Sequence, residues 1–341
     1  MKSLQQADRM FHRRVALIAR MTLPVLALLV CSVLAEDATP ALDPAAWGSD
    51  HVGKSVPEFV SGDQCLFCHR KDIGPAWPQN RHGLTVRVAS RNSDAERSLN
   101  EDDELREYAN AVEYLLGTGN HQRFLKHGNE YGHLDLLSVK WSQSRNSKSG
   151  ILTDKKSPNW NPTRFGEACA GCHATAVDVS TEQFTATSLD CFVCHGDPPD
   201  SHTENASMVH LSPARETPAR EVMSICGQCH LRGGRSKSSG NPYANNFVAG
   251  DNLFRDFQVN LSEQSIRQRG PADGHVFANV REVVLLGVEK MTCLTCHSVH
   301  QQSTEQHKTL NDTNLCWQCH EKDDPKSLIK SVDHHSPTCE Y

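Results

Sequence analysis

The 341-residue sequence predicts a mainly α fold with long loops and one small β-hairpin, packed around bound prosthetic groups. Three observations lead there. Aromatic residues make up only 6% of the chain and mean hydropathy is −0.53, which is poor in core-building side chains for this length. Cysteine and histidine are abundant, at 14 and 19 residues. Twelve of those cysteines form six Cys-x-x-Cys pairs, and a histidine follows every pair directly.

The pairs are Cys65/Cys68 with His69, Cys169/Cys172 with His173, Cys191/Cys194 with His195, Cys226/Cys229 with His230, Cys293/Cys296 with His297 and Cys316/Cys319 with His320. Zinc sites and redox dithiols use paired cysteines, but neither requires a histidine after every pair. The pattern is that of c-type haem attachment. Two thiols bond to the porphyrin vinyl carbons and the adjacent imidazole ligates the iron. Six covalently attached haem c groups are therefore expected, and porphyrin faces replace much of the missing apolar core.

The N-terminus carries Lys2, Arg9, Arg13, Arg14 and Arg20, then an apolar run from Thr22 to Leu34 ending in Val33-Leu34-Ala35. Residues 1–35 read as a cleaved Sec-type signal peptide, so the protein is expected in the periplasm or otherwise exported. The apolar run is too short for a stable membrane span in the mature chain. Removing five basic residues and one acidic residue takes the net charge from −6 to −10. That balance disfavours nucleic acid as a partner.

Along the mature chain, 36–341, the first motif is followed by a protein-only stretch. Haem 1 with its helix and hairpin segment occupies 36–165, and haems 2–6 occupy 166–341. Asp94 to Leu116 reads as one helix ending at Gly117. Phe124-Leu125 and Leu134 to Trp141, around Gly128, read as the hairpin. Ser142 to Asn161 is polar and punctuated by Gly and Pro, hence loop. Residues 231–246 read as a basic, flexible loop. The short spacings place haems 2 and 3, and haems 5 and 6, as near neighbours. Cys339 is left over as a free thiol or an intermolecular link.

Each iron has a second axial position. Twelve histidines are available for it: His51, His82, His121, His127, His133, His202, His210, His275, His300, His307, His334 and His335. Only Met208, Met223 and Met291 offer a thioether instead. Bis-His ligation throughout is compatible with this count, and it lowers reduction potential relative to Met/His ligation. His300 lies too close to His297 to reach the far face of the same iron, but it can serve a neighbour. His127 and His133 flank the hairpin tip and read as solvent-facing.

The sequence resembles the cytochrome c554-like multihaem cytochromes, a family related in haem arrangement to multihaem nitrite reductases and hydroxylamine oxidoreductases. The resemblance runs from Gly62 to His335. It rests on Trp77 and Asn80-Arg81-His82 after the first motif, Leu116-Gly-Thr-Gly-Asn-His121, Val139-Lys-Trp141 and Cys194-His-Gly-Asp before His202. It continues through Leu-Arg after His230, Gly287-Val before Cys293, His297-Ser-Val-His300 and Asp333-His-His335. The resemblance implies distal ligation by His82, His121, His202, His300 and His335, with His210 and His275 competing for the sixth place. Two features depart from the family: no further motif follows the paired histidines, and no Cys-x-x-Cys-Lys is present.

The expected function is electron transfer through closely spaced, mostly bis-His haems between redox partner proteins. Those partners would be donor and acceptor cytochromes, quinol-linked enzymes or terminal enzymes. The alternative is a multihaem oxidoreductase with one open haem acting on small nitrogen or sulfur compounds, such as nitrite or hydroxylamine.

Overall fold

The computed structural model describes residues 43–59, 61–144, 149–289 and 291–301. The signal segment 1–35 lies outside the described residues, and so does the whole of the sixth motif, Cys316, Cys319 and His320. The same holds for His307, His334, His335 and Cys339. Helix α1 spans Gly62–His69 and carries the first motif. After it come strand β1 (Val86–Val88), helices α2 (Asp94–Glu101) and α3 (Arg106–Ala111), and strand β2 (Tyr114–Leu116). The expected single helix over 94–116 is thus two short helices and a strand. Ser93 starts α2 through a reciprocal capping box with Glu96, and Ala95 and Leu99 bury its inner face. The acidic run Glu101-Asp102-Asp103-Glu104 interrupts the helical path, and Asp102 is extended. Tyr114, Leu115 and Leu116 then gain more by joining a sheet, where Leu115 and Leu116 bury opposite faces.

The hairpin is present as β3 (His121–His127) and β4 (Leu134–Ser142). It forms the centre of a six-stranded antiparallel sheet, in the order β1-β2-β3-β4-β5, with β6 also paired to β4. Strands β5 (Ile151–Thr153) and β6 (Trp160–Asn161) arise within the stretch expected to be loop. Among the described residues the fold is therefore mixed, 35% helical and 16% strand, and a mainly α fold is not clearly borne out. The reason is that β4 is apolar on both faces. Leu134 and Leu136 pack with Leu125, Leu116 and Phe165, while Leu137, Val139 and Trp141 pack with Phe124, Leu99 and Leu105. A sheet buried on both sides needs layers on both sides. Helices α2 and α3 cover one face. The other is covered by α4 (Arg164–Ala168) and α5 (Ala170–His173), the latter bearing the second motif.

Strands β7 (Ala174–Thr175) and β8 (Ala186–Thr187) lead to α6 (Cys191–His195), with the third motif. The second core forms where α7 (Ala219–His230) packs on α9 (Pro271–Leu286), burying Met223, Phe277, Val280, Val283 and Val284 with Leu253, Phe254 and Phe257. Proline at the start of α9 and Gly287 at φ +70° after it set its two ends. Between α7 and α9, β9 (Arg235–Ser236) pairs with β10 (Phe257–Gln258), and α8 covers Glu263–Arg267. The basic segment after His230 is accordingly a tied hairpin and not a loose loop. Asp256 accepts from the Ser238 N–H at 2.9 Å and from the Ser236 hydroxyl, and Gly240 N donates to Ser236 O at 3.0 Å. Helix α10 (Cys293–Cys296) holds the fifth motif. No helix among the described residues is long and apolar enough to cross a membrane.

Candidate haem-binding site

Each described motif lies on helical backbone. On a helix, residues three apart share one face, so both sulfurs point the same way with the histidine beside them. Cys65/Cys68, Cys191/Cys194 and Cys226/Cys229 lie within α1, α6 and α7, each of which ends at its motif histidine. Cys169 caps α5, and Cys293/Cys296 bound α10 with His297 next. None of these ten cysteines is joined in a disulfide, which leaves both sulfurs of each described motif for covalent attachment. The remaining pair, Cys316 and Cys319, falls outside the described residues, so its place among the other five stays an expectation from the sequence.

Helix α7 is the meeting point. Its Cys229 Sγ lies 3.7 Å from Gly171 O, and its Gln228 O lies 3.9 Å from Cys172 Sγ, joining the fourth motif to the second. Gln228 Nε2 donates to Val193 O of the third motif at 3.4 Å. Met223 Sδ is 3.9 Å from Cys293 Sγ of the fifth. The first and third motifs are joined separately. Asp190 caps α6 by accepting from Cys191 N at 2.7 Å, while its other oxygen accepts from Gly62 N at 2.9 Å, pinning the start of α1. A Cβ at position 62 would sit 1.9 Å from that carboxylate, so only glycine fits there.

Thiols of different motifs also meet. Hydrogen bonding from Cys191 lowers the Cys65 thiol to about 7 and raises Cys191 itself. The same kind of contact lowers Cys172 and raises Cys229, and lowers Cys293 and raises Cys226. Burial alone pushes Cys194 up to about 11.

Two pairs of imidazoles face one another across different motifs. The rings of His82 and His230 have centroids 6.2 Å apart and planes at 86°. Those of His195 and His300 are 5.8 Å apart at 36°. Two imidazoles bound end-on to one metal, each at about 2 Å, place their ring centres roughly 6 Å apart. The spacing and the donor set fit a haem iron held between each pair. Burial pushes His82 and His173 down to about 4, and lowers His195, His230 and His300 as well. These rings are neutral at pH 7, the form a metal ligand needs.

Several rings are oriented through Nδ1. His195 Nδ1 donates to His210 O at 2.5 Å, and His202 Nδ1 to Pro199 O at 2.8 Å. His69 Nδ1 lies 3.3 Å from Asp72, and His210 Nδ1 2.6 Å from Glu221 Oε1. In each case the other ring nitrogen is left for a ligand.

The remaining predicted histidines are placed as follows. His202 lies near enough to Cys65 for its charge to act on that thiol. His210 packs on Gly196 and Gly250, behind His195. His275 sits on α9 beside Asn279. His121 opens β3 exposed, in a surface cleft with Asn120, Ser142 and Gln143. His127 pairs with Glu113 and Tyr114. Asp190, Glu221 and the His51–Asp251 pair at 2.7 Å escaped the sequence reading. Of these only Asp190 left a signal there, as a capping residue directly before a motif.

A family model of the doubled CXXCH motif matches residues 287–325, a stretch that holds Cys293, Cys296 and His297 together with Cys316, Cys319 and His320. No curated protein matches the sequence. Among solved structures, the undecahaem cytochrome from the S-layer of Carboxydothermus ferrireducens is similar at 17% identity and a TM-score of 0.41. That similarity covers 80% of this chain but 44% of the other, so this chain spans less than half the length of that cytochrome. The doubled attachment motif matched at 287–325, together with the facing imidazole pairs between motifs, marks the chain as a multihaem c-type cytochrome.

Proposed function

We propose that this is an exported hexahaem cytochrome of the c554-like type, passing electrons between redox partner proteins through bis-His haems in close succession. The observation that carries the reading is the pair of facing imidazoles, His82 with His230 and His195 with His300, each drawn from two different motif regions. On this reading His230 and His195 are the proximal ligands of the fourth and third haems, and His82 and His300 are their distal ligands. His202 is the candidate for the first haem. Export is supported by the N-terminal basic and apolar segment.

Each bound haem supplies a one-electron ferric/ferrous couple. The chain's part is to fix position and surroundings. The cysteines would tether each group, and the neutral imidazoles of the facing pairs would hold its iron from positions already fixed by the fold. Helix α7 sets the second, third and fifth motifs against the fourth, and Asp190 ties the first to the third. Gly196 at φ +69° turns the chain away immediately after His195, which leaves room for the ring of His210.

Intact-mass measurement of the purified, haem-loaded protein tests the count. Six covalent haems are expected on a chain beginning near Glu36. A stoichiometry below six that persists when haem supply is saturating contradicts the hexahaem reading.

A further inference from the structure

The proximal side of the third motif is more elaborate than ligation by His195 requires. His195 Nδ1 donates to the backbone carbonyl of His210 at 2.5 Å. That carbonyl belongs to a turn closed by Ser212 N donating to Val209 O at 3.2 Å. Within the turn Leu211 has φ +59°, a left-handed conformation in which its Cβ crowds the following carbonyl. Rotating the 210–211 peptide would relieve Leu211 and swing the carbonyl away from His195. Something must oppose that rotation.

The hydrogen bond to His195 opposes it directly, and the side chain of His210 fixes where that carbonyl stands so that the bond is kept. The His210 ring lies between Gly196 and Gly250, and a Cβ at position 250 would come within 2.6 Å of its Cε1. Its Nδ1 is 2.6 Å from Glu221 Oε1, and the other Glu221 oxygen lies 3.4 Å from Arg215 Nη2. Glu221 stands on the first turn of α7, whose last turn bears the fourth motif, so the clamp is anchored in a helix of the second core. A carbonyl acceptor on the Nδ1–H of a ligating imidazole raises its basicity, which favours the ferric state and lowers the potential.

We propose that Glu221 is a positioning residue for the third haem: by clamping the His210 ring it holds the His210 carbonyl on His195 and so sets that haem's reduction potential. This rests on the reading that His195 is the proximal ligand there.

The test is a redox titration of the haem-loaded full chain, followed optically and by EPR. The third haem is identified as the component that becomes high-spin in His300→Ala. In Glu221→Ala the reduced-to-oxidised ratio of that haem at fixed potential should rise roughly tenfold, about 59 mV for one electron, and its g-values should move. The other haems should titrate as before. Glu221→Gln keeps one acceptor oxygen for His210 and should shift less. Adding Leu211→Gly to Glu221→Ala removes the strain that drives the peptide to rotate, and should restore most of the original potential. Loss of thermal stability with every potential and g-value unchanged overturns the proposal. So does a shift that Leu211→Gly leaves at full size. If His300→Ala produces no high-spin component in an otherwise folded protein, the ligand assignment itself fails, and the inference falls with it.

Discussion

Replacing His82 by alanine should, on the proposed hexahaem reading, convert one haem in six, that of the fourth motif, from low-spin to high-spin. His82 faces His230 at 6.2 Å between ring centres, and burial keeps it neutral at pH 7. Its removal would leave the iron with one protein ligand and a gap where the ring stood. The reduced variant should then bind carbon monoxide in an amount equal to one sixth of its total haem. His300→Ala should do the same at the third motif, through the loss of the partner of His195. The two effects should add, giving two carbon monoxide sites in the double variant, because the irons involved are different. A His82→Ala protein that stays wholly low-spin and binds no carbon monoxide would show that His82 does not ligate.

Removing the fourth attachment site should cost far more than removing the first. The Cys226→Ala/Cys229→Ala variant loses the haem at α7, the helix that touches the second, third and fifth motifs and forms half of the second core. A haem bound there would add its apolar face to the core of Met223, Phe277 and Val280 in a chain that has few aromatic side chains. Loss of metal or haem packing of this kind commonly abolishes folding in haem-dependent or metal-dependent chains. The variant should fail to accumulate as a soluble haem protein. Cys65→Ala/Cys68→Ala, on a helix where Cys68 and His69 are exposed, should yield a folded protein with five haems. Haem-stained gels and intact mass read both outcomes. Equal accumulation of the two variants would refute the central role given to α7.

The attachment chemistry was legible because it is local, and the doubled motif at 287–325 bears out haem c attachment there. A Cys-x-x-Cys-His needs only five consecutive residues, and a helical turn presents them correctly wherever it falls. The β3–β4 hairpin was legible for a similar reason: the apolar Phe124-Leu125 and Leu134 to Trp141 bracket a turn at Gly128. The step from hairpin to six-stranded sheet was not. It depends on Leu137 and Val139 finding cover from α2 and α3, which are remote in sequence, and on short strands such as Ile151–Thr153 whose polar surroundings look like loop. The helix expected over 94–116 failed at the same point, because Leu115 and Leu116 serve opposite faces of the sheet.

The site divides along the same line. His82 and His300 were singled out from residues near their motifs, and the structure sets each against the histidine of another motif. Which motif each would face was not readable from spacing. Nor was the pin that Asp190 makes to Gly62, or the clamp that Glu221 makes on His210, since both join segments distant in sequence or hidden in a turn. His121, for which the resemblance implies a ligand role, lies exposed at the start of β3 in a cleft bordered by the sheet.

The most direct test of the account is the EPR and optical spectrum of the wild-type, haem-loaded protein, oxidised and then reduced with carbon monoxide. Bis-His ligation throughout predicts only low-spin ferric signals and a reduced spectrum that carbon monoxide leaves unchanged. A high-spin ferric signal together with carbon monoxide binding at one haem or more would contradict it, and would make that haem an open site for substrate chemistry.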